Sequence, residues 1–224
     1  METSAKTPVE TGAKPPEDTS ANPQDDNPPP VPAPTPSKPT KANTPSKTVK
    51  QELPPPAAIP KVSLTDKLRA TCLVKVGDDL PEAELAGLDG NKVALKSLYG
   101  DALTVVIFWN AGGTVHSRQS VVEALGDMQK DVLEPFAAKE LKVVGINVGD
   151  KPDDAKKSLN DGGATFPNLL DPDRGYFKSV ATEKLPRVYL LDAAGKILWF
   201  DLEYARATRR ELLTAIRAVL EGKK

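Results

Sequence analysis

The chain has 224 residues, and its 30 basic and 31 acidic side chains leave a formal net charge of -1. Proteins that bind nucleic acid through its phosphates carry a basic stripe, and this sequence has none, so nucleic acid is not an expected partner. The longest apolar run, residues 103–109, is far shorter than the roughly 20 residues that span a bilayer, so no transmembrane segment is expected.

Proline is concentrated at the N-terminal end. Residues 1–60 hold 16 of the 22 prolines and no aromatic residue, and the first aromatic is Tyr99. Such a stretch cannot bury enough apolar surface to offset roughly 1–2 kcal/mol of backbone entropy per ordered residue. The sequence therefore predicts a disordered Pro/Ala/Thr/Lys-rich tail or tether over residues 1–60 and one folded domain over residues 61–224.

The cellular compartment is left open by the sequence. The first residues, Met-Glu-Thr-Ser, lack the basic and apolar regions of a secretory signal, so the chain as written is expected to be soluble. Proline-rich tethers also follow signal peptides and lipoprotein anchors, and such a segment upstream of Met1 would place the domain in the periplasm or outside the cell. The single cysteine cannot form an internal disulfide and does not decide the question.

The first half of the folded region predicts short elements and then a buried strand. Ser63 and Asp66 have the spacing of a capping box, which indicates a brief helix. Residues 72–76 and 92–95 alternate between apolar and polar side chains, as short strands do. Residues 103–109 form a continuous apolar run rich in β-branched side chains, which favours a central strand covered on both faces.

A helix and a second buried strand follow. Apolar residues recur at helical spacing from 115 to about 139, and Pro135 is expected to bend or end that helix. Residues 141–148 are again continuously apolar, and strand, helix and strand in this order predict a parallel pair with a right-handed crossover. The next predicted elements are a polar helix near 153–159, a short strand near 166–170 and a helix near 173–180.

The C-terminal part predicts a hairpin and a last helix. Residues 187–191 and 196–204 have strand patterns, and the loop Asp192-Ala-Ala-Gly195 between them is too short for a parallel crossover, so an antiparallel pair is expected. An amphipathic helix is predicted near 208–221. Together the elements predict a three-layer α/β/α sandwich around a mixed central sheet.

This order of elements resembles the thioredoxin fold, and several short motifs narrow the resemblance. The motifs are Gly77-Asp-Asp-Leu-Pro81, Leu88-Asp-Gly90, Leu98-Tyr-Gly100, Phe166-Pro167, Asp171-Pro-Asp173, Leu185-Pro186, Leu191-Asp192 and Gly195-Lys-Ile197. They lie where the redoxin group, with its TlpA- and ResA-type thioredoxins and the related AhpC/TSA proteins, has its equivalents. The resemblance covers about Val74 to Leu220 and implies a family of thiol-disulfide oxidoreductases that serve cell redox homeostasis.

The sequence departs from that family where the family carries its CxxC cysteines. The segment that follows the first central strand is Phe108-Trp-Asn-Ala-Gly-Gly-Thr-Val-His-Ser-Arg118. With one residue inserted in the loop, Thr114 and Ser117 take the two cysteine positions; without a gap, Gly113 and His116 take them. The peroxiredoxin TxxC element would likewise end on Ser117. Because dithiol exchange needs a thiolate and a second thiol, the resemblance implies a degenerate site without that chemistry.

Pro186 stands where the family has a cis-proline opposite the active-site loop. The resemblance therefore implies a groove between residues 114–117 and the Leu185-Pro186 pair that could hold an extended peptide or a partner protein. Trp109 is expected to form a wall of this groove. The expected binding residues are Trp109, Gly113, Thr114, His116, Ser117, Arg118, Leu185 and Pro186.

Two further side chains could carry chemistry. His116 is the only histidine, but no acidic residue has a clear spacing to orient it, so a surface or groove-lining role is expected. Cys72 is expected to be a small buried hydrophobe, and a reactive single thiol or an intermolecular disulfide is the alternative. One histidine and one cysteine are too few for a closed metal site, and no cofactor is expected.

The sequence thus supports two hypotheses about function. The first is a redox-inactive thioredoxin-like domain that serves as a binding or interaction module. The alternative is a thiol-disulfide oxidoreductase or a peroxidase-type antioxidant enzyme that works through Cys72 or through a thiol of its partner.

Overall fold

A computed structural model describes residues 58–222 of the chain. The predicted tail, residues 1–60, lies outside the described residues except for its last three positions. The predicted division into a tail and a domain therefore stays a prediction.

Seven strands and six α-helices are present in this part of the chain. The strands are β1 (Glu84–Gly87), β2 (Lys92–Ala94), β3 (Leu103–Trp109), β4 (Leu141–Val148), β5 (Asn168–Asp171), β6 (Arg187–Asp192) and β7 (Ile197–Leu202). The helices are α1 (Asp66–Arg69), α2 (Val115–Asp127), α3 (Glu134–Phe136), α4 (Pro152–Gly162), α5 (Phe177–Val180) and α6 (Arg206–Glu221). Short 3₁₀ turns cover Leu95–Leu98 and Ala137–Lys139.

The strands form one mixed sheet in the order β2-β1-β5-β4-β3-β6-β7. β3 is parallel to β4, β4 is parallel to β5, and the remaining neighbours are antiparallel. The predicted parallel pair and the predicted antiparallel hairpin are both confirmed. Helices α2, α4 and α6 cover one face of the sheet and α5 covers the other, so the three-layer α/β/α sandwich is confirmed as well.

The structure differs from the sequence prediction near the start of the domain. Residues 72–76 were expected to form a strand, but only Cys72 pairs, in an isolated antiparallel bridge with Ala181. Leu73 and Val76 are 54% and 46% exposed, so the alternating pattern there does not face a sheet neighbour. The strand β1, which has no comparable pattern, forms because β2 and β5 pair with its two edges.

The helix after β3 is continuous but changes its hydrogen bonding before Pro135. α2 ends at Asp127, and a π-helical stretch covers Met128–Leu133 and leads directly into α3, which contains the proline. Proline has no N–H to donate and its ring crowds the carbonyl four residues before it. A wider π turn immediately upstream accommodates that crowding, so the helix is altered at Pro135 rather than ended by it.

The core lies on both faces of β3, whose seven residues are all buried. Leu103, Val105, Ile107 and Trp109 pack under α2 and α6, whereas Val106 and Phe108 face α5. Successive side chains of a strand point to opposite faces of the sheet, so a continuous apolar run fits only a strand covered on both sides. The prediction of a central buried strand is confirmed.

Gly145 of β4 leaves room for a buried hydrogen bond between the side chains of Trp109 and Asn168. Trp109 Nε1 donates a hydrogen bond of 2.9 Å to Asn168 Oδ1, and both side chains are buried. A Cβ atom at position 145 would overlap Asn168 Oδ1 and come within 3.1 Å of the Phe166 ring. The glycine is therefore required by packing against Asn168.

We predict that Gly145→Ala destabilises the domain because the added methyl group must displace Asn168 and weaken its bond to the Trp109 indole. The free energy of unfolding in urea should fall by about 1–3 kcal/mol, the usual cost of overpacking a core. Gly175→Ala is the matched control, because a Cβ atom there meets nothing within 4 Å. Equal stability of the two variants would show that the Gly145 contact does not constrain the sheet.

Asp201 is a buried carboxyl group near the end of β7. It is 7% exposed, and its Oδ2 atom has no hydrogen-bond partner among the described residues. Burial raises the pKa of Asp201 above its ordinary value of 3.8. The folded protein therefore binds a proton at Asp201 more tightly than the unfolded chain does.

We predict that Asp201 makes the protein less stable as pH rises from 3.8 through its raised pKa. Over that window the folded state holds more protons at this site than the unfolded state, so the free energy of unfolding falls with pH. Asp201→Asn removes the titration, and its stability relative to the wild type should increase from pH 4 towards neutrality. Urea unfolding across this range measures the difference, and a constant or opposite difference would contradict the assignment.

Candidate functional site

The helix α2 begins at a pair of hydroxyl groups. Thr114 caps the helix: its Oγ1 accepts a hydrogen bond from the Ser117 N–H at 3.1 Å. Ser117 Oγ in turn accepts from the Thr114 N–H at 2.9 Å, and the two hydroxyl oxygens are 2.9 Å apart. The arrangement is a capping box in which serine takes the place of the usual glutamate or glutamine.

Two pairs of residues could correspond to the CxxC cysteines, Thr114 with Ser117 and Gly113 with His116, and the structure distinguishes them. The side chains of Thr114 and Ser117 contact each other at the helix start, as two cysteines must in order to form a disulfide bond. Gly113 is exposed and a Cβ atom there would meet nothing within 4 Å, whereas His116 lines a groove described below. The structure thus brings Thr114 and Ser117 together and does not bring Gly113 and His116 together in a comparable way.

The loop between β3 and α2 is held from both sides. Asp150, which follows β4, accepts hydrogen bonds from the Ala111 N–H at 2.6 Å and from Asn147 Nδ2 at 2.7 Å. Arg118 donates from Nε to the Gly112 carbonyl oxygen at 3.3 Å. Gly112 has a φ of 77°, and a Cβ atom there would lie 2.7 Å from Ser117 Oγ, so the turn requires glycine.

The segment before β6 lies opposite this loop. Phe108 of β3 pairs with Arg187 of β6, so the residues that follow Phe108 and those that precede Arg187 leave the sheet side by side. The Leu185–Pro186 peptide bond is cis, as the resemblance implied. The Pro186 carbonyl oxygen accepts from the Glu203 N–H at 2.9 Å, whereas the N–H and C=O of Leu185 have no partner within residues 58–222.

A groove of about 430 Å³ separates the two segments. It is lined on one side by residues of α2 and the loop before it, and on the other by the cis-proline segment and the start of α6. The lining residues include Gly112, His116, Ser117, Ser120, Val121, Leu185, Pro186, Glu203, Tyr204 and Arg206. Of the predicted binding residues, Gly113, Thr114 and Arg118 belong to the adjoining loop and helix start without lining this cavity.

Backbone strain is concentrated around the groove. Lys184, Glu203 and Tyr204 have φ values of 72°, 81° and 45°, in the left-handed region that side chains other than glycine disfavour. Such residues persist where the surrounding structure holds them, and they cluster at functional sites. Two of the three line the groove directly, and Lys184 immediately precedes Leu185.

Charged groups form one end of the groove. Arg209 of α6 makes an ion pair with Asp127 and lies over the Tyr204 ring, 4.9 Å from its centroid. Burial raises the pKa of Asp127, and the positive charge of Arg209 acts in the opposite direction. Glu203 and Arg206 also line this part of the groove, so it presents both signs of charge.

Trp109 does not form a wall of the groove as the sequence led us to expect. Its side chain is fully buried in the core under α2, and its indole N–H bonds Asn168. The side chain at the last position of β3 points into the sandwich because it continues the alternation that begins at Leu103. Trp109 therefore supports the loop from below and has no surface for a ligand.

Cys72 lies in a different place, beside Arg187. The thiol is half-buried, and its Sγ atom accepts a hydrogen bond from Arg187 Nη1 at 3.3 Å. Cys72 also lines a second, larger cavity and is not among the residues of the groove. It is therefore neither a plain core residue nor a part of the CxxC-like loop.

Several residues of the site carry no signal in the sequence. Asp150 and Arg187 act through contacts with segments far away in the chain, whereas Glu203 and Tyr204 line the groove from the turn before α6, and none belongs to a motif that marks such a role. A basic residue at the first position of a buried strand was the one available hint for Arg187.

Within residues 58–222 no group of three or more His, Cys, Asp or Glu side chains is arranged to hold a metal ion, and no helix is long and apolar enough to cross a membrane.

Known proteins share this sequence pattern. A Mycobacterium tuberculosis (strain ATCC 25618 / H37Rv) protein whose name places it among the peroxiredoxins is 35% identical over 98 residues, which is 44% of this chain and 58% of that protein. The thiol-disulfide oxidoreductase ResA of Bacillus subtilis (strain 168) is 24% identical over 126 residues, 56% of this chain and 66% of ResA. The chain thus covers less than two thirds of either relative's length.

Solved structures share the fold. A crystal structure from Chlorobium tepidum, named as a thiol:disulfide interchange protein DsbE, superimposes with a TM-score of 0.58 at 25% identity. The match covers 66% of this chain and 99% of the solved chain. The seven-stranded sheet and its helices are therefore those of the thioredoxin-like fold.

The family assignment rests on the longest match. The model of the AhpC/TSA family matches residues 76–200, from the segment before β1 to β7. This stretch is more than half of the chain and includes the helix start at Thr114 and the cis-proline segment. The protein belongs to the AhpC/TSA family, within the thioredoxin-like group of redoxins and thiol-disulfide oxidoreductases.

Proposed function

We propose that this domain is a redox-inactive member of its family that binds extended peptide segments of a partner protein in the groove beside Pro186. The observation that carries the proposal is the pair of hydroxyl groups at the start of α2. Thr114 and Ser117 occupy the helix start, 2.9 Å apart, while the groove next to them keeps its two walls.

The chemistry of oxygen supports the first half of the proposal. Disulfide exchange proceeds by attack of a thiolate on a sulfur atom and needs a second thiol to release the product. Hydroxyl groups form no reversible bond to sulfur, and here both are already used to cap the helix. The N–H groups that would stabilise a thiolate at a helix start instead bind these two oxygens.

The free backbone of Leu185 supports the second half. Its N–H and C=O are unpaired within the described part of the chain and lie at the wall of the groove. An extended peptide can add to such a backbone as a further strand, with main-chain hydrogen bonds for affinity and pockets for alternate side chains. Glu203 and Tyr204 belong to the same wall, since the Glu203 N–H donates a hydrogen bond to the Pro186 carbonyl oxygen.

The lining of the groove indicates which peptides fit. Val121, Ala124 and Leu185 provide an apolar floor, whereas Glu123, Glu203, Arg206 and Arg209 provide charges of both signs. An extended segment with an apolar side chain flanked by polar residues would match this distribution. The proposal therefore concerns protein segments rather than small ligands.

We predict that the wild-type protein does not accelerate the reduction of insulin by dithiothreitol. The double variant Thr114→Cys/Ser117→Cys should gain that activity, because it places two sulfur atoms where the hydroxyl groups now contact each other. Gly113→Cys/His116→Cys is the matched control and should stay inactive. A different result would favour the alternative function: turnover of insulin or peroxide by the wild type that disappears in Cys72→Ser would indicate an oxidoreductase or a peroxidase. The contact between Cys72 and Arg187 is the observation that supports this alternative.

We predict that a peptide without reactive thiols binds in the groove. The probe is the insulin B chain with both cysteines carbamidomethylated, followed by ¹H–¹⁵N NMR titration of the full chain. The amide signals of Leu185, His116 and Ser117 should shift most, because these residues line the groove.

Blocking the groove should weaken this binding. Ser120→Trp places a large side chain in the groove and should weaken binding about tenfold or more, which corresponds to about 1.4 kcal/mol. Gln119→Trp is the matched control, because Gln119 is exposed on the same helix but does not line the groove. Shifts confined to other surfaces, or equal effects of the two variants, would rule out the groove as the peptide site.

A further inference from the structure

Exposed large apolar side chains are few in the described part of the chain, and three of the four lie together. Ile59, Leu73 and Val76 are 36%, 54% and 46% exposed, and all three line one cavity of about 790 Å³. The fourth, Val115, is at the start of α2. A cluster of exposed apolar side chains, unlike scattered single ones, marks a surface on which another segment or protein packs. We name this surface the N-terminal cavity.

The walls of the N-terminal cavity are held by the rest of the domain. One wall, residues 59–64, packs its apolar side chains against the core. The other wall, residues 72–78, is fixed in part by a hydrogen bond of 3.0 Å from the Leu73 N–H to the Val180 carbonyl oxygen. Phe200 of the edge strand β7 provides an aromatic surface between the walls.

The second wall carries main-chain groups without partners. Val74 is only 8% exposed, yet neither its N–H nor its C=O has a hydrogen-bond partner within residues 58–222. The N–H of Val76 has no partner in the same part of the chain. Buried backbone groups are normally paired, so this wall is suited to an extended segment that supplies carbonyl oxygens.

The charges around the cavity select for an acidic occupant. Lys61, Arg69 and Lys75 line it and are exposed, against the single acidic residue Asp78. The carboxylate of Asp78 already accepts a hydrogen bond from the Lys75 N–H at 3.0 Å. The rim is therefore basic, and an apolar segment with a negative charge beside it matches the cavity best.

The chain enters the domain at this cavity. The described residues begin at Ala58, and the next two, Ile59 and Pro60, already line the cavity. The six residues before Ala58 are Glu52-Leu-Pro-Pro-Pro-Ala57, which combine one acidic residue, one large apolar residue and three prolines. Proline-rich segments lose little entropy on binding and dock on apolar, aromatic-lined grooves. A short tether also gives an effective concentration in the millimolar range, so weak contacts suffice.

We propose that the N-terminal cavity is the docking site of this chain's own segment Leu53–Pro56. Leu53 covers the exposed apolar side chains, and Glu52 lies by the basic rim. The proline carbonyl oxygens, which have no N–H beside them to satisfy, accept from the N–H groups of Val74 and Val76. Docking does not depend on the groove beside Pro186, and it makes the residues directly before Ala58 an integral part of the domain.

The first test alters the segment in the full chain and observes the cavity by ¹H–¹⁵N NMR. Leu53→Asp should lower the ratio of docked to undocked molecules about tenfold or more, because a buried leucine side chain contributes that much. The amide signals of Leu73, Val74 and Val76 should therefore shift. Val31→Asp is the matched control, because Val31 is also a single large apolar residue among prolines. It should leave these signals in place, and equal effects of the two variants would overturn the proposal.

The second test alters the cavity and observes the segment. The heteronuclear NOE of the Leu53 amide should be high in the wild type and fall in Val76→Asp, whereas Val115→Asp, equally exposed to solvent but outside the cavity, should leave it high. A peptide of residues 51–57 added to the Leu53→Asp chain should return the cavity signals to their wild-type positions.

Two results would contradict docking of the chain's own segment. A Leu53 amide that does not respond to Val76→Asp would leave the cavity to a separate partner protein. Signals of the docked state that fade on dilution of the wild type would mean that the segment comes from a second copy of the chain.

Discussion

The pairing of β3 with β6 is the constraint from which the groove beside Pro186 follows. β3 is buried on both faces, so its position in the sheet is fixed, and the antiparallel register sets Phe108 opposite Arg187. The chain that continues from β3 into α2 and the chain that arrives at β6 through Pro186 must therefore lie side by side. A slip of this register by one residue would turn every side chain of the strand to the other face, so the apolar core also fixes the geometry of the groove.

Hydroxyl groups stand at the start of α2, where Thr114 and Ser117 form a capping box. A helix start offers unpaired N–H groups that stabilise negative charge, and in this protein they bind the oxygens of Thr114 and Ser117. The capping box stabilises the helix and leaves the adjoining groove open. Under the proposed function, peptide binding depends on the walls of the groove, whereas disulfide exchange would need sulfur atoms that this helix start does not have.

Arg187 connects the two surfaces. Its guanidinium joins Thr71 and Cys72 to the carbonyl groups of Glu183 and Lys184, directly before the cis-proline segment. Its backbone belongs to β6 and is fixed by Phe108. One buried side chain thus fastens the N-terminal segment of the domain to the segment that forms a wall of the groove.

The sequence by itself determined the elements whose patterns are local: the apolar run of β3, the helical spacing of α2, the short loop of the hairpin and the absence of a second cysteine. Those features follow from side-chain periodicity and from residue chemistry, so the mixed α/β/α sandwich could be predicted, whereas the pair at 114 and 117 was one of two alternatives that the sequence left open. Tertiary structure alone decided that β1 forms a strand while residues 72–76 do not, that Trp109 lies in the core, and that Arg187 contacts Cys72. These outcomes depend on which distant segments meet, 59 residues apart for Trp109 and Asn168 and 115 residues apart for Cys72 and Arg187, and burial and polar contacts between such segments leave no periodic trace in either one.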